Sequence, residues 1–254
     1  EAELETLLAE LVEQGIESIA VCFLHAYANP THEQRVAAIA ADKFPNLLVS
    51  LSSRVLPEIR EYERTSTTAI NAYVRPLLGP YIDRLESRLA ECGYARQVYM
   101  MLSGGGVIAP KTATEFPVRM VESGPVGGAL AAAHLGKLAG IEDLIIFDIG
   151  GTTAKTTVLH EGRLGITTTY EVDRVHRFKR GSGIPIAVPS VDLIEIGTGG
   201  GSIAAINELG LLQVGPQSAE SEPGPVCYRL GGDQPTVTDA NLLLGYLDSE
   251  FFLG

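Results

Sequence analysis

Residues 148–153, with the sequence DIGGTT, place one acid, two glycines and two threonines in a short turn between apolar segments. Glycine permits positive φ and lets a ligand come close, so the backbone N–H groups of such a turn can converge on a phosphate. We therefore predict that Gly150, Gly151, Thr152 and Thr153 bind phosphate. An acid at the preceding strand end can hold a hydrated Mg²⁺ or position a water, which we predict for Asp148.

The alternative for this segment is a plain Gly-Gly hairpin without a ligand. Such a hairpin needs neither the preceding aspartate nor the following threonine pair. Other phosphate motifs fit poorly, because the chain has no GxxxxGK[ST] and no GxGxxG between a strand and a helix. Lys155, two residues after the turn, is either a point charge for a phosphate oxygen or a solvated lysine at a strand end.

Other polar residues carry weaker signals. The SGGG sequence at Ser103 follows a predicted strand and is either a ligand-binding loop or a close-packed turn. Asp192 and Glu195, three apart, fall on opposite faces of a strand and make no obvious pair, although one of them could face a cleft. Asp239 is interpreted as a first-turn helix acid. The basic cluster Arg174, His176, Arg177, Lys179 and Arg180 could steer an anion or contact a partner.

Apolar periodicity predicts the elements that position these residues. Helices are predicted at 3–14, at 31–43 with Thr31 as cap, across 57–92 with an interruption or bend at Pro76 and Pro80, at 129–138 after a glycine-rich turn at 122–128, and at 239–247 with Thr238 as cap. Strands are predicted at 19–24, 47–51, 98–102, 143–149, 154–159, 184–188 and 191–196.

Composition limits the classes of function. The 254 residues are 45% hydrophobic and carry a net charge of −12. Because this charge repels phosphate groups, we expect a protein that does not bind nucleic acid. We also expect it to be cytoplasmic and not to bind membranes. The three cysteines lack CxxC spacing and predict reduced, buried thiols. Because the chain opens without methionine inside an amphipathic pattern and stops at Phe251-Phe252-Leu253-Gly254, we expect a fragment of a longer protein.

Several motifs together resemble a known superfamily. The sequence ESGPVGGALAAA from Glu122, followed by a strand and DIGGTT, resembles the actin, sugar kinase and 70-kilodalton chaperone superfamily. Over nearly the whole chain, the sequence is similar to the A subunit of the hydantoinase and oxoprolinase family. The motifs that carry this similarity are TSTT at Thr65 with Asn71-Ala72-Tyr73, SGGG at Ser103, ESGPVGG at Glu122, DIGGTTAKT at Asp148, GTGGGSIA at Gly197 and TDANLLLGYL at Thr238.

The resemblance implies an α/β fold of the actin-like ATPase (ribonuclease H-like) type, with a mixed sheet flanked by helices. It divides the chain into residues 1–56, the tail of the N-terminal hydantoinase A region, and residues 57–254, a core that carries the second phosphate loop. The family opens with a separate first phosphate loop, also of DxGGT type, and residues 1–51 contain no such loop.

The resemblance also implies a reaction: ATP-dependent hydrolysis of a cyclic amide such as a hydantoin or 5-oxoproline, with ATP and Mg²⁺ as cofactors and a hydantoinase B-type subunit as partner. An ATP-dependent ketone carboxylase subunit and a non-catalytic nucleotide-binding sensor are the alternatives. Asp148 and Lys155 would be catalytic, with Asp148 the metal ligand, although many relatives have aspartate at the position of Lys155. Gly124, Gly199, Gly200, Gly201 and Ser202 would contact the nucleotide, the last four on its adenosine side, unless Gly197–Ser202 is a turn without a ligand.

Overall fold

A computed structural model describes residues 1–173, 175 and 181–251. The basic cluster at 174–180 lies outside the described residues. The chain divides into two compact units, the first formed by Glu1–Gly127 and Ile166–Val191, and the second by Gly128–Gly165 and Asp192–Gly254.

The α-helices are α1 Ala2–Glu13, α2 Thr31–Lys43, α3 Ser52–Val55, α4 Glu61–Glu91, α5 Pro110–Glu115, α6 Ser123–Ala139 and α7 Val237–Leu243. Short 3₁₀ helices cover Pro117–Met120 and Val226–Tyr228. The strands are β1 Ser18–Val21, β2 Leu48–Leu51, β3 Met100–Met101, β4 Val107–Ile108, β5 Leu144–Ile149, β6 Ala154–His160, β7 Arg163–Leu164, β8 Ile166–Thr167, β9 Tyr170–Val172, β10 Ile184–Ile186, β11 Ser190–Val191, β12 Ile194–Ile196, β13 Ser202–Ile206 and β14 Leu212–Ser218.

The first unit is built on the parallel pair β1–β2. Leu8 of α1 packs with Ile39 of α2 and Leu47, which buries the apolar stripes of both helices. A second cluster joins Val55, Phe116, Val118, Ile186 and Val188. The sequence predicts α1, β1, α2 and β2 in the correct order, because their apolar periodicity agrees with their burial.

Buried polar side chains of α4 connect the first unit. The amide of Asn71, which is fully buried, donates to Ser50 Oγ (3.0 Å) and to the Glu115 carbonyl (3.1 Å), and its Oδ1 accepts from the Val118 N–H (3.3 Å). Thr67 Oγ1 accepts from the Ala187 N–H (3.0 Å). The TSTT and Asn71 positions therefore join α4 to the segments around it.

The second unit contains a sheet with the strand order β12-β6-β5, in which both pairings are antiparallel, and β7 also pairs with β6. Ala129 of α6 packs on Ile146 and Leu159 on one face of this sheet. The antiparallel hairpin β13–β14 follows, and Ile203 forms a single bridge with Thr236 beside α7. Among the described helices, none combines the length and the hydrophobicity that a membrane span requires.

Four predicted features of the helices differ from the structure. The segment 122–128 is not a turn, because α6 already begins at Ser123, and Pro125 is tolerated there since the first helical turn needs no internal N–H donor. α4 continues through Pro76 and Pro80 without a break. α7 is capped by Thr236 rather than Thr238, and it ends at Leu243. The cap of α2 is also shifted, since Pro30 occupies the N-cap position and Thr31 is the first helical residue.

Candidate functional site

The DIGGTT segment forms the tight connection between β5 and β6. Its Gly150 N–H donates to the Thr153 carbonyl (2.9 Å), which extends the strand ladder by one step. Gly150, Gly151 and Thr152 are exposed, and Thr153 is half-buried. Neither glycine has a positive φ, so the turn does not use the positive φ that glycine permits. A Cβ on Gly151 would meet no atom within 4 Å, so packing within the protein does not demand glycine there.

The GTGGGS loop, Gly197–Ser202, packs directly on this turn. The Gly200 N–H donates to the Gly150 carbonyl (2.9 Å), and the Gly201 N–H donates to the Gly151 carbonyl (2.6 Å). A Cβ on Gly199 would lie only 2.6 Å from Thr152 C and Thr153 N. This contact between two backbones is what requires glycine in the second loop.

The hydrogen bonds between the loops fix the direction of the amides in the turn. In a trans peptide unit the C=O and the N–H point in opposite directions. The Gly150 and Gly151 carbonyls both point at the second loop, so the N–H groups of the same peptide units, those of Gly151 and Thr152, point away from it. Within the described part of the chain, no acceptor pairs with the N–H of Gly151, Thr152 or Thr153.

The second loop is held by its own residues and by α7. Ser202, which is 1% exposed, accepts from the Gly199 N–H through its Oγ (2.9 Å) and donates its N–H to the Gly199 carbonyl (3.0 Å). Thr238 donates its N–H (2.8 Å) and its Oγ1 (2.9 Å) to the Gly200 carbonyl. Ser202 and Thr238 thus shape the loop, and the role of Thr238 escaped the sequence analysis, which took it for a helix cap.

Asp239 fixes the segment before α7. Its carboxylate accepts from the N–H (2.8 Å) and Oγ1 (2.8 Å) of Thr236 and from the Cys227 N–H (2.8 Å). Burial raises the pKa of Asp239, but these hydrogen bonds outweigh burial and hold the pKa at about 2. Burial and the neighbouring Asp239 raise the pKa of the Cys227 thiol to about 11. Asp239 is therefore the acid of the capping box, which agrees with its interpretation as a first-turn helix acid. Cys227 stays protonated.

The charged residues predicted around the turn lie together on the sheet. In the strand register, Asp148 of β5 lies directly opposite Lys155 of β6, and Lys155 lies directly opposite Glu195 of β12. Asp148 and Glu195 are exposed, whereas Lys155 is half-buried. Asp192 lies before β12, where its backbone binds Gly165 and Thr157.

The donor set near the turn fits a magnesium ion bound mainly by phosphate. Within the described residues, no three His, Cys, Asp or Glu side chains form a metal cage. Mg²⁺ on nucleotide phosphates usually keeps several waters and takes one or two protein carboxylates. The exposed carboxylate of Asp148, next to the unpaired amides, meets that requirement.

Two other predicted sites lie in the first unit. Gly124 is in the first turn of α6, in a region that packs with the first unit. In the SGGG segment, Ser103 Oγ donates to the Arg119 carbonyl (2.9 Å), and a Cβ on Gly104 would lie 3.2 Å from the Pro189 carbonyl oxygen. These contacts favour the close-packed turn over the ligand loop for SGGG.

Comparison with known proteins identifies the family. The hydantoinase/oxoprolinase profile matches residues 64–254, and the profile for the N-terminal region of that family matches residues 1–44. The chain belongs to the hydantoinase/oxoprolinase family. The recognition made from the six motifs is thus confirmed, and the two loops described above are loops of a family member.

Relatives in this family act on different substrates. The chain is 38% identical to the caprolactamase subunit alpha of Pseudomonas jessenii over 100% of its own length, and 36% identical to the 5-oxoprolinase of Saccharomyces cerevisiae over 99%. It also matches a nucleotide-free structure of an acetone carboxylase, described as ATP-dependent, with a TM-score of 0.76 and 27% identity over 96% of the chain. The match spans 35% of the caprolactamase subunit, 18% of the oxoprolinase and 34% of the carboxylase chain.

Proposed function

We propose that the second unit carries the second phosphate loop of an actin-like ATPase fold and that this loop binds ATP. The outward direction of the unpaired Gly151 and Thr152 amides, next to the unpaired N–H of Thr153, is the observation that carries the proposal. Converging backbone donors bind phosphate oxygens without any cationic side chain. The open space at Gly151 lets a phosphate approach them.

The side chains around the turn complete the phosphate site. The hydroxyls of Thr152 and Thr153 add donors, and Lys155 supplies a positive charge two residues beyond the turn. Asp148 would hold Mg²⁺, which neutralises phosphate charge when bound. Gly199, Gly200, Gly201 and Ser202 form the support on which the turn rests, and we assign the adenosine side of the nucleotide to this loop.

The reaction we propose is ATP-dependent hydrolysis of a cyclic amide by the complete enzyme. The amide oxygen attacks the γ-phosphorus, the bond to ADP breaks, and the phosphorylated amide carbon becomes open to water. Water adds to this carbon, the C–N bond breaks with the nitrogen taking a proton, and an acyl phosphate remains. A second water then releases phosphate. The relatives named as caprolactamase and 5-oxoprolinase support this reaction.

The carboxylase reaction is the second candidate, because the similarity to the acetone carboxylase structure extends over 96% of the chain. There the same phosphate loop would serve to phosphorylate a ketone oxygen. We further propose that the protein works with a hydantoinase B-type partner, since the caprolactamase relative is named as a subunit. A nucleotide-binding sensor would bind ATP through the same loop and catalyse neither reaction.

The decisive experiment is ATP cleavage by the full-length protein with its B-type partner, in the presence of lactams, hydantoins, 5-oxoproline or ketones with bicarbonate. Stimulation by a cyclic amide, with one ring opened per phosphate released, supports the hydrolase. Stimulation by a ketone with bicarbonate selects the carboxylase instead. ATP binding without stimulation by any of these compounds refutes both enzymatic assignments and leaves the sensor.

A further inference from the structure

The sheet of the second unit is apolar on both faces. On one face, α6 packs against Ile146 and Leu159. Successive residues of a strand point to opposite faces, and directly opposite residues of antiparallel strands share a face. The register therefore puts eight uncharged residues together on the other face: Ile145, Phe147 and Ile149 of β5, Ala154, Thr156 and Val158 of β6, and Ile194 and Ile196 of β12. We call this set the outer patch.

The outer patch is exposed, yet it lacks the pattern of a sheet face that meets water. Its larger apolar side chains are all exposed, from 38% for Ile196 to 81% for Ile145. An antiparallel sheet with one solvated face alternates apolar and polar residues along each strand. β5 instead begins Leu144-Ile145-Ile146-Phe147, with apolar side chains on both faces. Because contiguous apolar patches on soluble proteins mark interaction surfaces, we expect the outer patch to be covered.

The dimensions of the outer patch fit a single helix. At about 3.3 Å per residue and about 4.8 Å per strand, the patch measures about 13 Å along the strands and about 10 Å across them. A helix with its side chains is about 10–12 Å wide and rises about 1.5 Å per residue, so about nine residues would cover it. Helices on both faces of one sheet are among the stable layer arrangements.

The relatives contain polypeptide that could supply this helix. Nearly the whole chain matches only 35% of the caprolactamase subunit and 34% of the acetone carboxylase chain, so about two thirds of each lies outside the match. A segment of the same polypeptide is held near the patch at high effective concentration. The uncharged patch, by contrast, provides no charge to steer a separate subunit onto it. Both points favour a segment of the same chain.

We propose that an amphipathic helix of the same polypeptide, from outside residues 1–254, packs on the outer patch in the full-length protein. It would also hold the strand ends that carry the two glycine loops, because Ile149 directly precedes Gly150 and Ile196 directly precedes Gly197. The inference does not depend on nucleotide binding, so its failure would leave the proposed function standing.

The first test is maleimide labelling of introduced cysteines in the full-length protein without its B-type partner, with each label located by peptide mass spectrometry. Ile145→Cys should react at least about tenfold more slowly than Glu142→Cys, because thiol reactivity follows exposure. Glu142 is the matched control, an exposed acid three residues away, and acids are seldom buried. Val158→Cys, opposite Ile145 on the adjacent strand, should be protected to the same extent.

Three labelling results would overturn the inference. Equal rates for Ile145→Cys and Glu142→Cys would mean that the patch is open. Protection that appears only after the partner is added would assign the patch to that subunit. Protection that is lost on dilution would assign it to a second copy of the chain.

A photo-cross-link identifies the segment that covers the patch. Phe147→benzoylphenylalanine keeps an aromatic side chain at the centre of the patch. Irradiation of the full-length protein should join it to a peptide of the same polypeptide from outside residues 1–254, in a product with the mass of one chain. A cross-link to the partner, to a second copy or to a peptide within residues 1–254, or no cross-link, would contradict the proposal.

Discussion

Replacement of Gly199 by alanine should separate the two loops. The added Cβ would lie 2.6 Å from Thr152 C and Thr153 N and 2.7 Å from the Gly150 carbonyl oxygen, well inside the 3.5–4.0 Å of a favourable carbon contact. All three atoms belong to backbone, so no side chain can turn aside to make room. The GTGGGS loop must therefore move away from the DIGGTT turn.

The cost of that movement can be worked out from the contacts that are lost. Overpacking costs about 1–3 kcal/mol. Each of the two hydrogen bonds from the Gly200 and Gly201 N–H groups adds about 0.5–1.5 kcal/mol when broken. We expect the free energy of unfolding to fall by roughly 2–6 kcal/mol, measured as a shift of the urea midpoint of the full-length protein.

Gly151→Ala provides the matched control in the partner loop. Its Cβ would meet no atom within 4 Å and its φ is not positive, so the free energy of unfolding should stay level or rise by about 0.4–1 kcal/mol. The same Cβ would occupy the open space beside the unpaired amides, so nucleotide affinity should fall about tenfold. A change in unfolding free energy below about 0.5 kcal/mol for Gly199→Ala, or equal destabilisation by the two variants, would refute the packing argument.

Three further predictions concern polar side chains. Asp148→Ala should weaken Mg²⁺-ATP binding to the full-length protein more than about tenfold, or 1.4 kcal/mol, in calorimetric titration; equal binding by variant and wild type would make the turn a structural hairpin. The folded pKa of Asp239, about 2, lies below its ordinary value of 3.8, so this carboxylate contributes stability that is present above pH 3.8 and lost as the pH falls through about 2. Asp239→Asn should therefore lower the melting temperature near neutral pH, and its deficit should shrink toward pH 2; a deficit independent of pH would contradict this assignment. Asn71→Ala should lower the unfolding free energy by roughly 2–4 kcal/mol, because the buried Val118 N–H and Glu115 carbonyl lose their partner; a urea midpoint equal to that of wild type would contradict it.

The sequence predicts elements well where one physical signal decides them. β5, β6 and the turn between them follow from an apolar run, two glycines and a second apolar run, and the structure has these strands paired. The predicted start of α6 was six residues too late because Gly124, Gly127 and Gly128 are poor helix formers. Tertiary packing outweighs that preference, since Val126 and Ala129 are almost fully buried.

Contacts between segments distant along the chain could not be predicted from the sequence. Glu195 was weighed against Asp192 on spacing along one strand, yet its neighbour is Lys155, forty residues earlier, on the adjacent strand. The pairing of Gly200 and Gly201 with Gly150 and Gly151 is equally non-local. Periodicity reports which face of a strand a residue occupies, and it carries no information on which strand lies beside it.

The proposed binding of phosphate poses an electrostatic problem, since the net charge of −12 repels an anionic ligand. The arrangement of the two loops suggests how this repulsion is overcome. The amides of Gly151 and Thr152 are neutral groups, so they attract phosphate oxygens only at short range, and the second loop holds them in the required direction through the Gly150 and Gly151 carbonyls.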